Sequence, residues 1–244
     1  MTGGRAAPDH WLIDLDDTLY PAESGLFSHV SKRITARIAR TLGLPEEEAR
    51  VVQRRLWRTY GTSLRGLIVE HGVDPEPFLA DVHDVPVEAI LAPDPALRDV
   101  LGALPGTLHV FTNGPSEFAR RVLARLEVSD LFDGVFDIRH ARFVPKPDEI
   151  PYRCALEALG VDGARVAMVD DSPQNLAQAQ RFGMWTAWLR SPHSMAGGRA
   201  GGSVALGEEH ELRPDVVIAR LSELPAAWDA ASRGTPPRGS AAER

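Results

Sequence analysis

One cysteine, Cys154, stands in 244 residues, so no disulfide can form within the chain and a disulfide-built secreted scaffold is excluded. Basic clusters are also missing. Lysine and arginine number 27 against 34 acidic residues, for a formal charge of −7, which argues against a nucleic-acid polymer as partner. No apolar run is long enough to span a bilayer, no signal-peptide core is visible, and no internal repeat occurs. These absences predict a soluble, cytoplasmic protein with no membrane partner, of a length between one domain and two. Nothing in the composition speaks to oligomeric state.

What the chain does have is an apolar run that ends in acid. His10-Trp-Leu-Ile-Asp-Leu-Asp-Asp-Thr-Leu-Tyr20 reads as a strand buried on both faces, and carboxylates at a buried strand end need partners, a metal or a chemical task. Asp14 and Asp16 stand at i and i+2, so in extended chain both side chains point the same way. That pairing suggests an aspartate nucleophile beside an aspartate acid/base. The plain alternative is a strand end closed by turn-forming acids.

Either side of a helical stretch, the chain alternates strand and helix. Between about residues 25 and 85, apolar residues recur at three- and four-residue steps (Phe27, Val30, Ile34, Ile38, Leu42; then Ala49, Val52, Leu56), with stops at Gly43 and Gly72. Pro45 and Ser63 read as the openings of the second and third helices, and a fourth is expected near Pro77 to Val82. From Pro93 the pattern is α/β: strands at Leu108–Thr112, Gly134–Asp137, Arg165–Asp170, Trp185–Leu189 and Asp215–Ile218, with a helix opened by Pro151 and another capped by Ser172. The expected fold is α/β, a doubly wound, Rossmann-like, mostly parallel sheet with a helical unit inserted after the first strand. The expected boundaries are a disordered stretch at 1–9, a core of 10–22 and 88–231, a helical cap of 23–87 and a disordered tail at 232–244. Ser191 to Gly207, rich in glycine, serine and alanine, reads as a surface loop with no phosphate-binding role.

In such sheets ligands bind beyond the carboxyl ends of the strands. Those ends carry Asp14 and Asp16, then Thr112 and Asn113, then Asp170 and Asp171, with Lys146 in a Pro-Lys-Pro loop between them. Singly, each has an ordinary explanation: a solvated lysine, a strand-end hydroxyl, an acidic helix start. Jointly they outline a phosphoryl-transfer site. A carboxylate attacks phosphorus only when the substrate's charge is screened. Asp14 and Asp171 would hold Mg²⁺, Lys146 would neutralise both the nucleophile and a phosphate oxygen, and Thr112 Oγ with the N–H groups of Asn113 and Gly114 would hold the rest.

On these residues the chain resembles the haloacid dehalogenase (HAD) superfamily, subfamily IA. Asp14-Leu-Asp16-Asp-Thr18-Leu resembles its first motif, Phe111-Thr112-Asn113 its second, Lys146-Pro147 its third and Asp170-Asp171-Ser172 its fourth, and the helical insertion resembles its type 1 cap. The likeness runs from about Trp11 to Leu189. It implies a Mg²⁺-dependent phosphatase in which Asp14 forms an aspartyl-phosphate and Asp16 protonates the leaving group, then deprotonates water. It implies a metal site of Asp14, the Asp16 carbonyl and Asp171, with Asp170 ligating through water or from behind. Tyr60-Gly-Thr-Ser-Leu-Arg-Gly-Leu67, with Ile90–Pro95 and Asp130–Gly134, is similar to the pyrimidine 5'-nucleotidase group, implying UMP- or CMP-like substrates and making Tyr60, Ser63 and Arg65 candidate contacts. Pro151 departs from residues common among relatives.

Other readings remain at this level. Asp16 argues against a dehalogenase, since an ester left on the nucleophile needs no leaving-group acid. A phosphomutase would keep all the same residues, and a broad phosphatase of sugar phosphates or pyridoxal phosphate would too. A phosphate-sensing module, or a protein that works by assembling through Trp57 and Tyr60, leaves the joint presence of Asp14, Asp16, Thr112, Lys146 and Asp171 without a purpose.

Overall fold

The computed structural model describes residues 6–190 and 213–233. The glycine-rich segment and most of the two expected disordered ends lie outside the described residues. Six strands form one parallel sheet: β1 (His10–Ile13), β2 (Thr107–Phe111), β3 (Phe132–Phe136), β4 (Val166–Asp170), β5 (Trp185–Leu189) and β6 (Val216–Ile218). Their order is β3-β2-β1-β4-β5-β6. β1 is therefore central, with Trp11 opposite Leu108 on one side and Ala167 on the other. Helices cover both faces, as the alternation predicts.

The two-residue period of β1 divides its side chains between two cores. Trp11 and Ile13 join Val110, Ala167 and Val169 on one face, while Leu12 joins Met168, Leu176 and Tyr152 on the other. The first core is anchored by Trp11, Trp185 and Trp228, whose rings meet edge to face at centroid distances of 5.2 to 5.8 Å. Trp228 belongs to a terminal helix, Leu224–Ser232, which the sequence reading left without an element although Leu224, Ala227, Trp228 and Ala231 carry its spacing. Asp9 is tied to the edge of the sheet: its N–H bonds the Arg165 carbonyl and its carbonyl accepts from the Thr107 N–H.

Between β1 and β2 lie α1 (Leu26–Leu42), α2 (Glu46–Tyr60), α3 (Ser63–His71) and α4 (Pro75–Val82), followed by a short α5 (Val87–Ile90) and by α6 (Pro95–Gly102), which leads back into the sheet. Gly43 and Gly72 end α1 and α3 in the left-handed conformation, as read. The cap of α3, however, is Thr62, whose hydroxyl accepts from the Arg65 N–H, and Ser63 is the first helical residue. Asp74 caps α4 in the same way, moving its start two residues before the expected one. Likewise the helix Glu149–Leu159 is opened by Asp148, so Pro151 falls at its third position, where a missing N–H still costs nothing. Ser172 precedes the helix Pro173–Arg181 but makes no capping bond and donates to Gln174 instead.

The helical insertion has its own apolar cluster of Ile38, Leu56, Leu64, Leu67, Phe78, Leu79 and Val82. Ile138, from the loop after β3, is buried in it, and Phe143 from the same loop packs against it. Arg139 adds a polar tie, with both guanidinium arms on Glu76 of α4 at 2.7 and 2.8 Å. Gly61, between α2 and α3, leaves room for that loop's end: a Cβ there would sit 3.0 Å from Pro145 and 3.5 Å from the Lys146 carbonyl. The insertion thus lies over the carboxyl end of the sheet. No helix among the described residues is long and apolar enough to cross a membrane.

Candidate active site

The Asp14 N–H bonds the Val169 carbonyl at 2.9 Å, one step past the β1–β4 ladder, and there the chain turns. Asp17 takes φ of 62°, a conformation that aspartate tolerates better than most residues, and the Thr18 and Leu19 N–H groups fold back onto the Leu15 carbonyl. The result is a buried shelf: Asp14, Asp16, Asp17 and Thr18 are all nearly covered.

Lys146, on the loop after β3, reaches this shelf and is 2% exposed. Its Nζ donates to Asp14 Oδ1 at 2.9 Å, Asp170 Oδ2 at 2.9 Å and the Phe111 carbonyl at 2.6 Å. Burial pulls the ammonium's pKa down, but Asp14 and Asp170 outweigh it and leave the pKa raised, so the cation persists. An ammonium has three donors, and all three are spent on protein. Its charge offsets that of Asp14 and Asp170.

The loop after β2 is built to hold Lys146 in place. Asn113 Oδ1 accepts from the Lys146 N–H at 2.8 Å and Asn113 Nδ2 donates to its carbonyl at 3.2 Å, an amide clamp that the sequence reading missed because it assigned Asn113 only a backbone donor. Thr112 Oγ1 accepts from the Gly114 N–H at 2.9 Å. The Gly114 N–H is thereby bonded within its own turn. The Thr112 hydroxyl keeps its own proton for donation, and the Asn113 N–H is the remaining backbone donor of the pair.

Asp14, Asp170 and Asp171 each offer an oxygen within 4.8 Å of the other two, all buried. Three carboxylates against one ammonium leave an excess of negative charge that a divalent cation would offset, and an all-oxygen donor set fits Mg²⁺. Asp170 differs from its neighbours. Besides Lys146, its oxygens accept from the Ser172 N–H at 2.8 Å and from Asn175 Nδ2 at 2.9 and 3.0 Å. Burial raises its pKa, with Lys146 opposing. So engaged, Asp170 suits a role behind the metal, orienting Lys146.

Of the candidates on the insertion, Ser63 is turned inward and Tyr60 divides between core and surface. The Tyr60 ring packs on the insertion's own core, while its hydroxyl lies at the surface near Glu70, which takes a two-pronged bond from Arg55. Ser63 Oγ donates to the Gln53 carbonyl. Arg65 is half-buried and makes no ion pair among the described residues. Trp57 is also half-buried, so it does not form the exposed apolar patch that an assembly role needs.

His83, also on the insertion, faces the site loop. It follows α4, its ring lies 5.0 Å from Phe118, and a Cβ on Gly114 would sit 3.5 Å from its Nε2. Nδ1 pairs with the Leu79 carbonyl at 3.0 Å. Burial pushes its pKa down to about 4. A histidine kept neutral in the fold but protonated when unfolded favours unfolding as pH falls below its ordinary value near 6.5. Unfolding free energy should therefore drop by about 1–2 kcal/mol between pH 6.5 and 5 on account of His83. Urea titrations at both pH values check this, with His83→Asn flattening the slope; an unchanged slope refutes it.

A parallel sheet in the order 3-2-1-4-5-6, with a lysine-held aspartate at the end of its central strand, defines a doubly wound α/β fold with a buried charged site at its carboxyl edge. The chain belongs to the haloacid dehalogenase-like hydrolases, whose family model matches residues 9–183. Among curated proteins it is 30% identical over 197 residues to a phosphoglycolate phosphatase of Rhodospirillum rubrum, covering 72% of this chain and 77% of that one. It is 27% identical over 191 residues to phosphate metabolism protein 8 of Saccharomyces cerevisiae, covering 71% of this chain and 59% of the yeast protein. Among solved structures, a 2-haloacid dehalogenase of Pseudomonas syringae superposes with a TM-score of 0.53 at 25% identity, covering 91% of this chain and 98% of that one.

Proposed function

We propose that this protein is a Mg²⁺-dependent phosphomonoester hydrolase that works through an aspartyl-phosphate on Asp14, in the cytoplasm. The observation that carries the reading is Asp14 Oδ1 held at 2.9 Å by a buried lysine, with two further carboxylates close by. Lys146 orients the attacking carboxylate and balances its charge. Thr112 Oγ1 and the Asn113 N–H would receive phosphate oxygens, and Asp16 would hand a proton to the departing alkoxide and take one from water in the second step, worth about 10²–10⁴-fold. Asp14, Asp171 and the Asp16 carbonyl would hold the metal, which when bound screens the charge of the phosphate. The helical insertion would act as a cap, occupying 23–87 and leaving 10–22 and 88–231 as the core. Its overlap with the sheet's carboxyl end supports that division.

Pyrimidine 5'-nucleotides are the substrates we favour, on the resemblance of the Tyr60–Leu67 segment. A broader small-molecule phosphatase is the second reading, favoured by the relatives named phosphoglycolate phosphatase and validoxylamine A 7'-phosphate phosphatase. With the Tyr60 ring and Ser63 engaged inside the insertion, the share of specificity carried by that segment rests on Arg65. Phosphate release from UMP and CMP, set beside AMP, phosphoglycolate, pyridoxal 5'-phosphate and p-nitrophenyl phosphate, separates the two. A clear pyrimidine preference is expected, with Arg65→Ala raising KM for UMP about tenfold, the worth of one lost hydrogen bond to a charged group, and leaving p-nitrophenyl phosphate nearly unaffected. A flat profile, or equal loss on both substrates, removes the nucleotidase reading and keeps the phosphatase.

A further inference from the structure

His83 stands one residue past α4, where the insertion returns toward the sheet, and its surroundings fix the role of each ring nitrogen. Nδ1 faces the Leu79 carbonyl at 3.0 Å, and because a carbonyl only accepts, Nδ1 carries the hydrogen. Nε2 keeps its lone pair, an acceptor without a hydrogen-bond partner among the described residues. Burial holds the imidazole neutral, and its ring lies 5.0 Å from Phe118 of the helix Ser116–Leu126. Nε2 lies 3.5 Å, and Thr112 Oγ1 3.4 Å, from the point that a Gly114 Cβ would take. The two atoms thus flank one gap, with a hydroxyl donor on the sheet side and an acceptor nitrogen on the insertion side. Arg139, whose charge reaches His83, is engaged by Glu76, Glu117 and Asp137. An anionic group beside Nε2 would meet a lone pair, whereas a hydroxyl would find its acceptor.

We propose that His83 is a specificity residue whose Nε2 accepts a hydrogen bond from a hydroxyl on the alcohol part of the substrate. The site then selects phosphate monoesters of polyols, ribosyl compounds among them, over those of plain alcohols. The inference rests on the phosphatase reading above, in which Thr112 Oγ1 receives a phosphate oxygen and the alcohol lies toward the insertion. It is independent of which base, if any, the alcohol carries. A site built to accept from a hydroxyl discriminates against the analogue that lacks it, because the acceptor loses water on binding and gains nothing in return.

The test compares glycerol 3-phosphate with propyl phosphate, which share a three-carbon chain and differ in their hydroxyls, as competitors of p-nitrophenyl phosphate hydrolysis. In the wild type, glycerol 3-phosphate should compete the better of the two. His83→Asn sets an amide where Nδ1 stood, keeping a donor for the Leu79 carbonyl while removing the acceptor at Nε2. The ratio of the two inhibition constants should shift by about three- to tenfold toward propyl phosphate, the worth of one neutral hydrogen bond. His83→Gln, whose amide reaches the place of Nε2, should restore most of the wild-type ratio. A wild type that prefers propyl phosphate overturns the proposal. So does a ratio unchanged in His83→Asn, which is what a merely structural role produces, or one that shifts equally in His83→Gln. Failure of the wild type to hydrolyse p-nitrophenyl phosphate at all is a different result: the phosphatase reading itself falls, and this inference with it.

Discussion

Lys146→Met should destabilise the protein by about 3–5 kcal/mol at neutral pH, and turnover should fall by at least about 10²–10³-fold. The methionine fills a similar volume, so the loss is electrostatic. Lys146 is the cation on both Asp14 and Asp170, which are 8% and 0% exposed at their side chains, and its removal strands two buried carboxylates. The pH dependence has a definite sign. Asp170 already has a folded-state pKa above its ordinary value, and losing Lys146 moves it further up. A carboxyl raised in this way favours the fold below its unfolded pKa and loses that contribution as pH rises through the folded value. The deficit relative to wild type should therefore shrink as pH is lowered from neutral toward 5. Urea unfolding of both proteins at several pH values measures it. A deficit under about 1 kcal/mol, the scale of an exposed ion pair, would mean that the pair is far better solvated than its burial implies.

Asp14→Asn is expected to abolish turnover, by about 10⁴-fold or more, while leaving the fold intact. An amide is no nucleophile toward phosphorus, yet it keeps an oxygen for the 2.9 Å bond from Lys146. The second signature is in metal linkage. A ligand that binds only the folded state at a hundredfold excess over its Kd adds about 2.7 kcal/mol. The wild type should show a gain of that order with Mg²⁺, and Asp14→Asn only a small part of it, because one of the three clustered carboxylates is gone. Without divalent cation the variant should melt no lower than wild type, since the substitution also removes repulsion from Asp170 and Asp171. Melting curves with and without Mg²⁺ test both halves. Equal Mg²⁺ gains in the two proteins would take Asp14 out of the metal site.

How far the sequence carried the argument depended on the range of each contact. The apolar run Trp11 to Ile13 followed by Asp14 and Asp16 is a local signal: a strand period of two and a turn determine where those carboxylates point, and the structure has β1 where that pattern puts it. The same holds for the helices whose glycine stops could be read, and for β5 at Trp185–Leu189. The terminal helix was missed although its spacing was present, because its reason for forming is remote: Trp228 packs on Trp11 and Trp185. Cap residues such as Thr62 and Asp74 shifted helix starts by one or two positions, since several nearby polar side chains compete for the same N–H groups.

The sequence by itself determined the central strand, its acidic end, the α/β alternation and the helical insertion, all of which follow from periods and turns within a few residues. Only the tertiary structure decided how the donors are spent. Lys146 lies 132 positions from Asp14 and 33 from Asn113, and nothing local reveals that its three protons are all taken or that an amide clamps its peptide. Nor does spacing along α2 and α3 show that Ser63 turns inward, or that His83 faces the loop of Thr112 and Gly114. A hydrogen-bond donor can be used once. Which partner claims it is a question of packing in three dimensions, and it is that choice which makes Lys146 the buried cation on Asp14 and Asp170.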